Sequence, residues 1–239
     1  MDGVPGTQKP LEPWEYWKND PVRSRKSLTA WDLVIPLKPL TLAKSRLAGA
    51  GGDSARPGLA LAFAVDTVAA ALACTAVRTV SVVTNDALAG VELSALGARI
   101  VPDAPGAGLN AALVHGTQIV RSSSPEASVA ALSADLPALR SAELELVLAT
   151  ASAADRAFLA DAAGIGTTLL AAAPGIGLAP AFGEASRARH RGSGAQEILL
   201  EGVDSVRRDV DTAADLRVAM ALGVGPRTTA ATAGLGRAD

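Results

Sequence analysis

At 239 residues with 49% apolar side chains, the chain suits one α/β domain with terminal extensions, because a core of that size buries most of its apolar surface without splitting. A net charge of −2 argues against a nucleic-acid binder, which would show a face dense in lysine and arginine. A single cysteine, Cys74, excludes disulfides and cysteine metal sites; with no signal layout at the N-terminus and no run of ~18 strongly apolar residues, the expectation is a cytoplasmic protein with no membrane partner.

Residues 1–30 hold three of the five lysines, two of the three tryptophans and the only tyrosine, without hydrophobic periodicity. They are expected to be a poorly ordered extension outside the fold. From there β-branched or leucine-rich runs alternate with alanine-rich helical patterns. The expected elements begin with a strand at Asp32–Leu37, a helix at Pro57–Ala73, a strand at Thr79–Thr84, a helix at Ala87–Leu96 and a strand at Arg99–Pro102. A helix at Gly108–Val120, a strand at Ser128–Ser133, a helix at Ser141–Ala151 and strands at Ala157–Ala160 and Thr167–Ala173 come next. A short helix at Gly194–Leu200, a strand at Val206–Asp211 and a helix at Thr212–Leu222 complete the series. This order predicts an α/β fold, Rossmann-like, with a mostly parallel mixed sheet flanked by helices. The domain would run from 31 to 226, with 227–239 as a C-terminal tail.

Ligands of such sheets bind beyond the carboxyl ends of the strands. Those ends carry the chemistry-bearing residues. In RRDVDTAADL an extended backbone would project Asp209 and Asp211 to one face, and two adjoining carboxylates make sense where Mg²⁺ or Mn²⁺ neutralises them. The alternative is that Asp211 or Thr212 caps the next helix. In SADLPAL, Pro137 stops a strand and leaves Asp135 at its carboxyl end as a third acid, although Asp-Leu-Pro is also an ordinary turn. His115 and His190 are isolated and form no zinc site.

No lysine follows Lys44, so the loop after the first strand, with Lys38, Lys44 and Arg46, stands out as a surround for a triphosphate rather than a plain surface loop. No GxxxxGK[ST] is present, and neither Gly49–Gly51 nor Gly164–Gly166 completes a dinucleotide fingerprint. Asn110, in PGAGLNAALVHG, lies at a helix start suited to an anion or ligand carbonyl, where it would bind nucleotide or simply cap. Thr167, Thr168, Gly183 and Ser186 offer hydroxyl and backbone donors for a small acid.

PLKPLTLAKSRL, GLNAALVHG, SADLPAL, DAAGIGTTLLAA, FGEASRARH and RRDVDTAADL, in that order, resemble the 2-phospholactate and phosphoenolpyruvate guanylyltransferases of deazaflavin coenzyme F420 biosynthesis, over about Trp31 to Pro226. The resemblance implies a GT-A-like nucleotidyltransferase fold that joins GTP to a phosphorylated three-carbon acid and releases pyrophosphate. It implies Mg²⁺ on Asp135, Asp209 and Asp211, with Asp135 also catalytic, and the acid on Thr168, Gly183 and Ser186. Lys38, Lys44 and Arg46 would be the catalytic cations, and Lys38, Lys44 and Asn110 the nucleotide contacts. Related molybdenum-cofactor enzymes begin with a glycine-rich loop where this chain has Pro39 and Leu40. Phosphoenolpyruvate is the favoured acid because the alanine-, glycine- and arginine-rich composition resembles actinobacterial members. Phospholactate, a sugar phosphate on the same fold, and a regulatory nucleotide-binding module without catalysis are the alternatives. Dimers are common for such enzymes, and a homodimer is compatible with the chain.

Overall fold

A computed structural model describes residues 30–42 and 56–233. Strands β1 (Trp31–Pro36), β2 (Val77–Val83), β3 (Arg99–Val101), β4 (Ser128–Leu132), β5 (Arg156–Ala160), β6 (Thr167–Ala172) and β7 (Gln196–Glu197) form one sheet in the order β3-β2-β1-β4-β6-β5-β7. β6 runs antiparallel to both its neighbours, and every other pairing is parallel. This is the mostly parallel mixed sheet that the alternation of elements predicts.

The central strands are buried on both faces, and their two-residue period sorts them into two cores. Leu33, Ile35, Ala130, Leu132, Leu169 and Ala171 pack on one side with helices α1 (Arg56–Leu72), α2 (Ala87–Ala95) and α4 (Ser141–Ala151). Val34, Val129, Ala131, Leu170 and Ala172 pack on the other with α3 (Leu109–Ser123), joined by Phe158 and Phe182. Gly116 brings α3 down onto the sheet: a Cβ there would stand 2.6 Å from methyls of Val34 and Val83. Cys74 is buried, and burial pushes its thiol up, as expected of a small apolar residue.

Three expectations are corrected. The expected helix at Gly194–Leu200 lies one step earlier, as α5 (Ser186–Gly192); Gly194, at φ +86°, follows its end, and Gln196–Glu197 then pairs with β5 as an edge strand. The expected strand at Val206–Asp211 is a short helix, α6 (Asp204–Arg207), followed by irregular chain. Arg207 explains this locally: its guanidinium donates to the carbonyls of Ala160, Ile198 and Leu200, drawing the segment under the end of β5 where no ladder position is open.

The third correction is at the C-terminus. Beyond α7 (Ala213–Leu222), residues expected to trail as a tail form α8 (Pro226–Thr232). Buried Asp66 on α1 caps this helix across 160 or so residues of chain, accepting from Arg227 N at 3.1 Å and Thr228 N at 2.7 Å. The charge is satisfied by two end-of-helix donors and the helix dipole. Residues 1–29 lie outside the described residues. Among those described, no helix is long and apolar enough to cross a membrane.

Replacing Asp66 by alanine removes the cap and leaves two donors unpaired. Denaturant unfolding is expected to show a loss of about 1–2 kcal/mol, with amide exchange rising first in 226–232. Protection in that segment equal to wild type would contradict the capping role.

Candidate active site

The carboxyl ends of β1 to β4 open onto a common crevice, and local hydrogen bonds stiffen its rim. β1 continues through Leu37, whose N–H donates to Val83 O, to exposed Lys38 and a 3-10 turn at Leu40–Leu42. Leu40 N donates to Asp86 Oδ2 at 2.9 Å, while Asp86 Oδ1 caps α2 through Ala89 N. One carboxylate thus ties the Lys38 segment to the second strand's loop. Asn85 and Asp103 exchange two hydrogen bonds of 2.9 Å, which fixes the ends of β2 and β3 to each other. Lys44 and Arg46 lie outside the described residues.

On the next side of the crevice, the turn after β4 is anchored to α1. Thr67 Oγ1 donates to Phe63 O and accepts from Leu136 N at 3.0 Å, both inside the core. The carbonyl of Asp135 accepts from Val210 N at 3.1 Å. That single bond brings Asp135 beside the Asp209–Asp211 segment, 75 residues away in sequence, while the Val210 side chain is buried against Leu59, Phe63 and Leu216. Asp135 and Asp209 are half-buried and Asp211 is exposed. Because 208–211 is irregular chain, the strand alternation invoked to aim both aspartates at one face does not apply.

The capping alternative is settled at Thr212: its Oγ1 accepts from Asp215 N, and the Asp215 carboxylate accepts from the N–H groups of Thr212 and Asp211, a capping box. Burial pushes the Asp215 carboxyl up, but the bonds from Thr212 and Asp211 and the nearby Arg208 outweigh it and hold it below its usual range. Asp211 is therefore not the cap. Among the described residues no three acidic, histidine or cysteine side chains are grouped to hold a metal ion by themselves. The donors that adjoin here are all carboxylates, a set that suits a hard cation taking one or two of them and completing its shell with phosphate oxygens.

The third side is built from β6 and the segment before α5. Between Leu159 and Ala160 the ladder with β6 shifts register: Leu159 faces Leu169, but Ala160 faces Thr167, so Thr168 is the extra residue of a bulge. Its side chain is completely buried, and Oγ1 has no hydrogen-bond partner. Other such atoms, at Ser81, Thr117, Arg121 and Thr228, belong to strand and helix positions away from the crevice. A buried hydroxyl left unpaired beside a strand end is a donor that a ligand or an ordered water could satisfy.

His190 organises the surroundings of the bulge. Its Nε2 accepts from Ala181 N at 2.9 Å, so the ring proton sits on Nδ1 and is donated to Thr167 Oγ1 at 3.0 Å. The ring is fully buried, edge-on to Phe182 at 5.1 Å. Burial, reinforced by Arg156 and Arg189, lowers its pKa to about 4. The sequence marks His190 only as a non-ligand; no local signal shows that it bridges β6 to the 181–183 segment. Gly183 follows at φ +112°, a conformation natural to glycine, and its carbonyl accepts from Ser186 N at 3.1 Å. Ser186, buried, begins α5. Thr168, Gly183 and Ser186 are thus gathered on this side. Asn110 is not the cap of α3, whose N-cap is Gly108; its amide accepts from Phe182 N at 2.8 Å and donates to Phe182 O at 3.1 Å. Arg187 is engaged by Glu197 and the Gly164 carbonyl, so it serves the scaffold.

This sheet order, mostly parallel with one reversed strand and helices on both faces, is that of a nucleotidyltransferase fold, and solved structures agree. A nucleotidyl transferase from Methanothermobacter superposes with a TM-score of 0.58 over 81% of this chain and 97% of that one, at 20% identity. A nucleotide-diphospho-sugar transferase from Desulfovibrio desulfuricans gives the same TM-score over 79% and 85%, at 15% identity. The profile of the family described as "Guanylyl transferase CofC like" matches residues 31–231, and the chain belongs to that family. A phosphoenolpyruvate guanylyltransferase from Streptomyces coelicolor is 67% identical over 205 residues, covering 86% of this chain and 97% of that protein. Proteins of the same name from Streptomyces avermitilis and Thermomonospora curvata are 69% and 60% identical, over 86% and 85% of this chain and 95% and 89% of theirs.

Because His190 is held neutral, its folded-state pKa lies below the unfolded value of 6.5. Its contribution is complete above pH 6.5 and is lost as pH falls from there toward about 4, by roughly 3 kcal/mol in all. Unfolding free energy measured against pH for wild type and His190→Asn should differ in slope over this window. Parallel curves would refute a buried neutral imidazole.

Proposed function

We propose that this protein is a phosphoenolpyruvate guanylyltransferase, joining GTP to phosphoenolpyruvate to give enolpyruvyl-diphospho-guanosine and pyrophosphate in coenzyme F420 biosynthesis. The observation that carries this is the identity of 60–69% with three proteins of that name along nearly the whole domain. The work of the enzyme would belong to the cytoplasm.

A phosphate oxygen of the acid attacks the α-phosphorus of GTP in line; the new P–O–P bond forms as the bond to the β-phosphate breaks, and the electron pair leaves on pyrophosphate. The attacking phosphate is ionised at neutral pH, so no side chain need act as general base. What the chain supplies is position and charge. Thr168, with its unpaired buried hydroxyl, would hold the acid together with Gly183 and Ser186. Lys38, just after β1, attracts the nucleotide phosphates and stabilises the departing pyrophosphate, with Lys44 and Arg46, a few residues on in the sequence, as further cations. Asp135, Asp209 and Asp211 would hold a divalent cation, Mg²⁺ in this reading, which when bound neutralises charge between the two phosphates. A homodimer is compatible with this function and is not required by it.

The test is pyrophosphate release from GTP and Mg²⁺ with each acid in turn. Phosphoenolpyruvate should support it. Release with 2-phospholactate alone would transfer the assignment to that substrate, release with a sugar phosphate alone would move it to another enzyme class, and release with none would leave a binding module. In the same assay, Asp209→Asn and Asp211→Asn should each lower turnover at least about a hundredfold with the fold intact by circular dichroism; wild-type rates in either would remove the metal role. Thr168→Val removes an orphaned hydroxyl, so stability should hold or rise while KM for the acid climbs roughly tenfold. An unmoved KM would detach Thr168 from the acid.

A further inference from the structure

Asn110 is assigned to the nucleotide by the resemblance, but the structure commits its side chain elsewhere. It is the second residue of α3, a helix seated tightly on β1 and β2 through Gly116. Its amide takes the whole Phe182 peptide position in a two-way clamp, oxygen to Phe182 N at 2.8 Å and nitrogen to Phe182 O at 3.1 Å, across 72 residues of sequence. The pairing copies one rung of a β-ladder, so it restrains the orientation of the backbone as well as its place. Arg189 adds a second donor to Phe182 O at 3.2 Å, and His190 holds the preceding residue at Ala181 N.

Phe182 leads directly into the glycine of the acid site. Gly183 takes φ +112°, and a Cβ there would meet the Arg189 guanidinium at 3.2 Å. Its N–H donates to no group among the described residues, whereas its carbonyl is used by Ser186 N, the first residue of α5. The Gly183 N–H shares one planar peptide unit with Phe182 O, the oxygen that Asn110 and Arg189 hold, so its direction is set by that grip and points away from it.

We infer that Asn110 is a positioning residue of the acid-substrate site and not a nucleotide contact: by clamping the Phe182 peptide it orients the Gly183 amide and the start of α5 beside Thr168. This rests on the reading of Thr168, Gly183 and Ser186 as the acid site. The clamp uses one of the two N–H groups and one of the two acceptor positions of the amide, and holding both fixes the amide plane against Phe182, where it serves the backbone first.

The experiment separates the two substrates kinetically. In wild type, Asn110→Ala and Asn110→Asp, KM is measured for phosphoenolpyruvate at saturating GTP and for GTP at saturating phosphoenolpyruvate. Asn110→Asp keeps the acceptor for Phe182 N and sets a carboxylate oxygen against Phe182 O, so it serves if the alanine variant does not fold. Each variant should raise KM for phosphoenolpyruvate roughly tenfold, the scale of one or two buried hydrogen bonds, with KM for GTP within about twofold of wild type. A rise confined to GTP, or an equal rise for both, would overturn the inference while leaving the function intact. A wild-type enzyme that releases pyrophosphate with neither acid would instead bring down the functional reading, and this one with it.

Discussion

A sheet whose central strands are buried on both faces leaves little room for reactive polar groups at its middle, and the rest of this molecule is arranged around that constraint. Leu33, Val34 and Ile35 are wholly buried, as are Val129, Ala130 and Ala131 beside them. A charged or unpaired group there would cost several times what a hydrogen bond contributes. The functional groups therefore gather where strands stop: Lys38 after β1, Asp135 after β4, Thr167 and Thr168 at the start of antiparallel β6. The reversal of β6 matters, since it brings the amino end of one strand to the same edge as the carboxyl ends of the others, and Ser133 N bonds Thr168 O across that junction.

The two sides of the crevice are held by different means. On the acidic side the anchoring is through backbone: Thr67, on the first helix, pins the turn after β4, and the carbonyl of Asp135 captures Val210. On the side of Thr168 and Gly183, the anchors are side chains that capture backbone. His190, Asn110 and Arg189 hold Ala181 and Phe182 from three directions. A neutral imidazole suits this place, because a charged one would add to Arg156 and Arg189 without a counterion. The result is a stiff frame around loosely satisfied donors, the arrangement that favours electrostatic preorganisation over movement.

Much of this was legible from order and spacing. Strands β1 to β6 and helices α1 to α4 and α7 fall where period and punctuation put them, because each buries a face whose pattern is local. The segments that escaped are those whose partners are remote. Gln196–Glu197 is a strand only because β5 offers it an edge. Asp204–Arg207 turns as a helix because Arg207 is drawn to carbonyls of β5 and the 198–200 loop. Pro226–Thr232 is a helix with Asp66 as its distant cap. The site divides in the same way. Acids and threonines at strand ends were visible as residue types; the bulge that isolates the Thr168 hydroxyl and the use of Asn110 as a clamp were not.

By itself, then, the order of apolar and polar residues determined the alternating elements and the mostly parallel character of the sheet, while its motifs carried the resemblance to a family and the short set of residues from which a site must be drawn. Tertiary structure alone decided which of them meet and what each is free to do. The physical reason is range: hydrophobic period and turn chemistry act within a few residues, whereas the Asp135–Val210 bond, the Asn110–Phe182 clamp and the His190 bridge join groups that only the packed chain brings within 3.1 Å of one another.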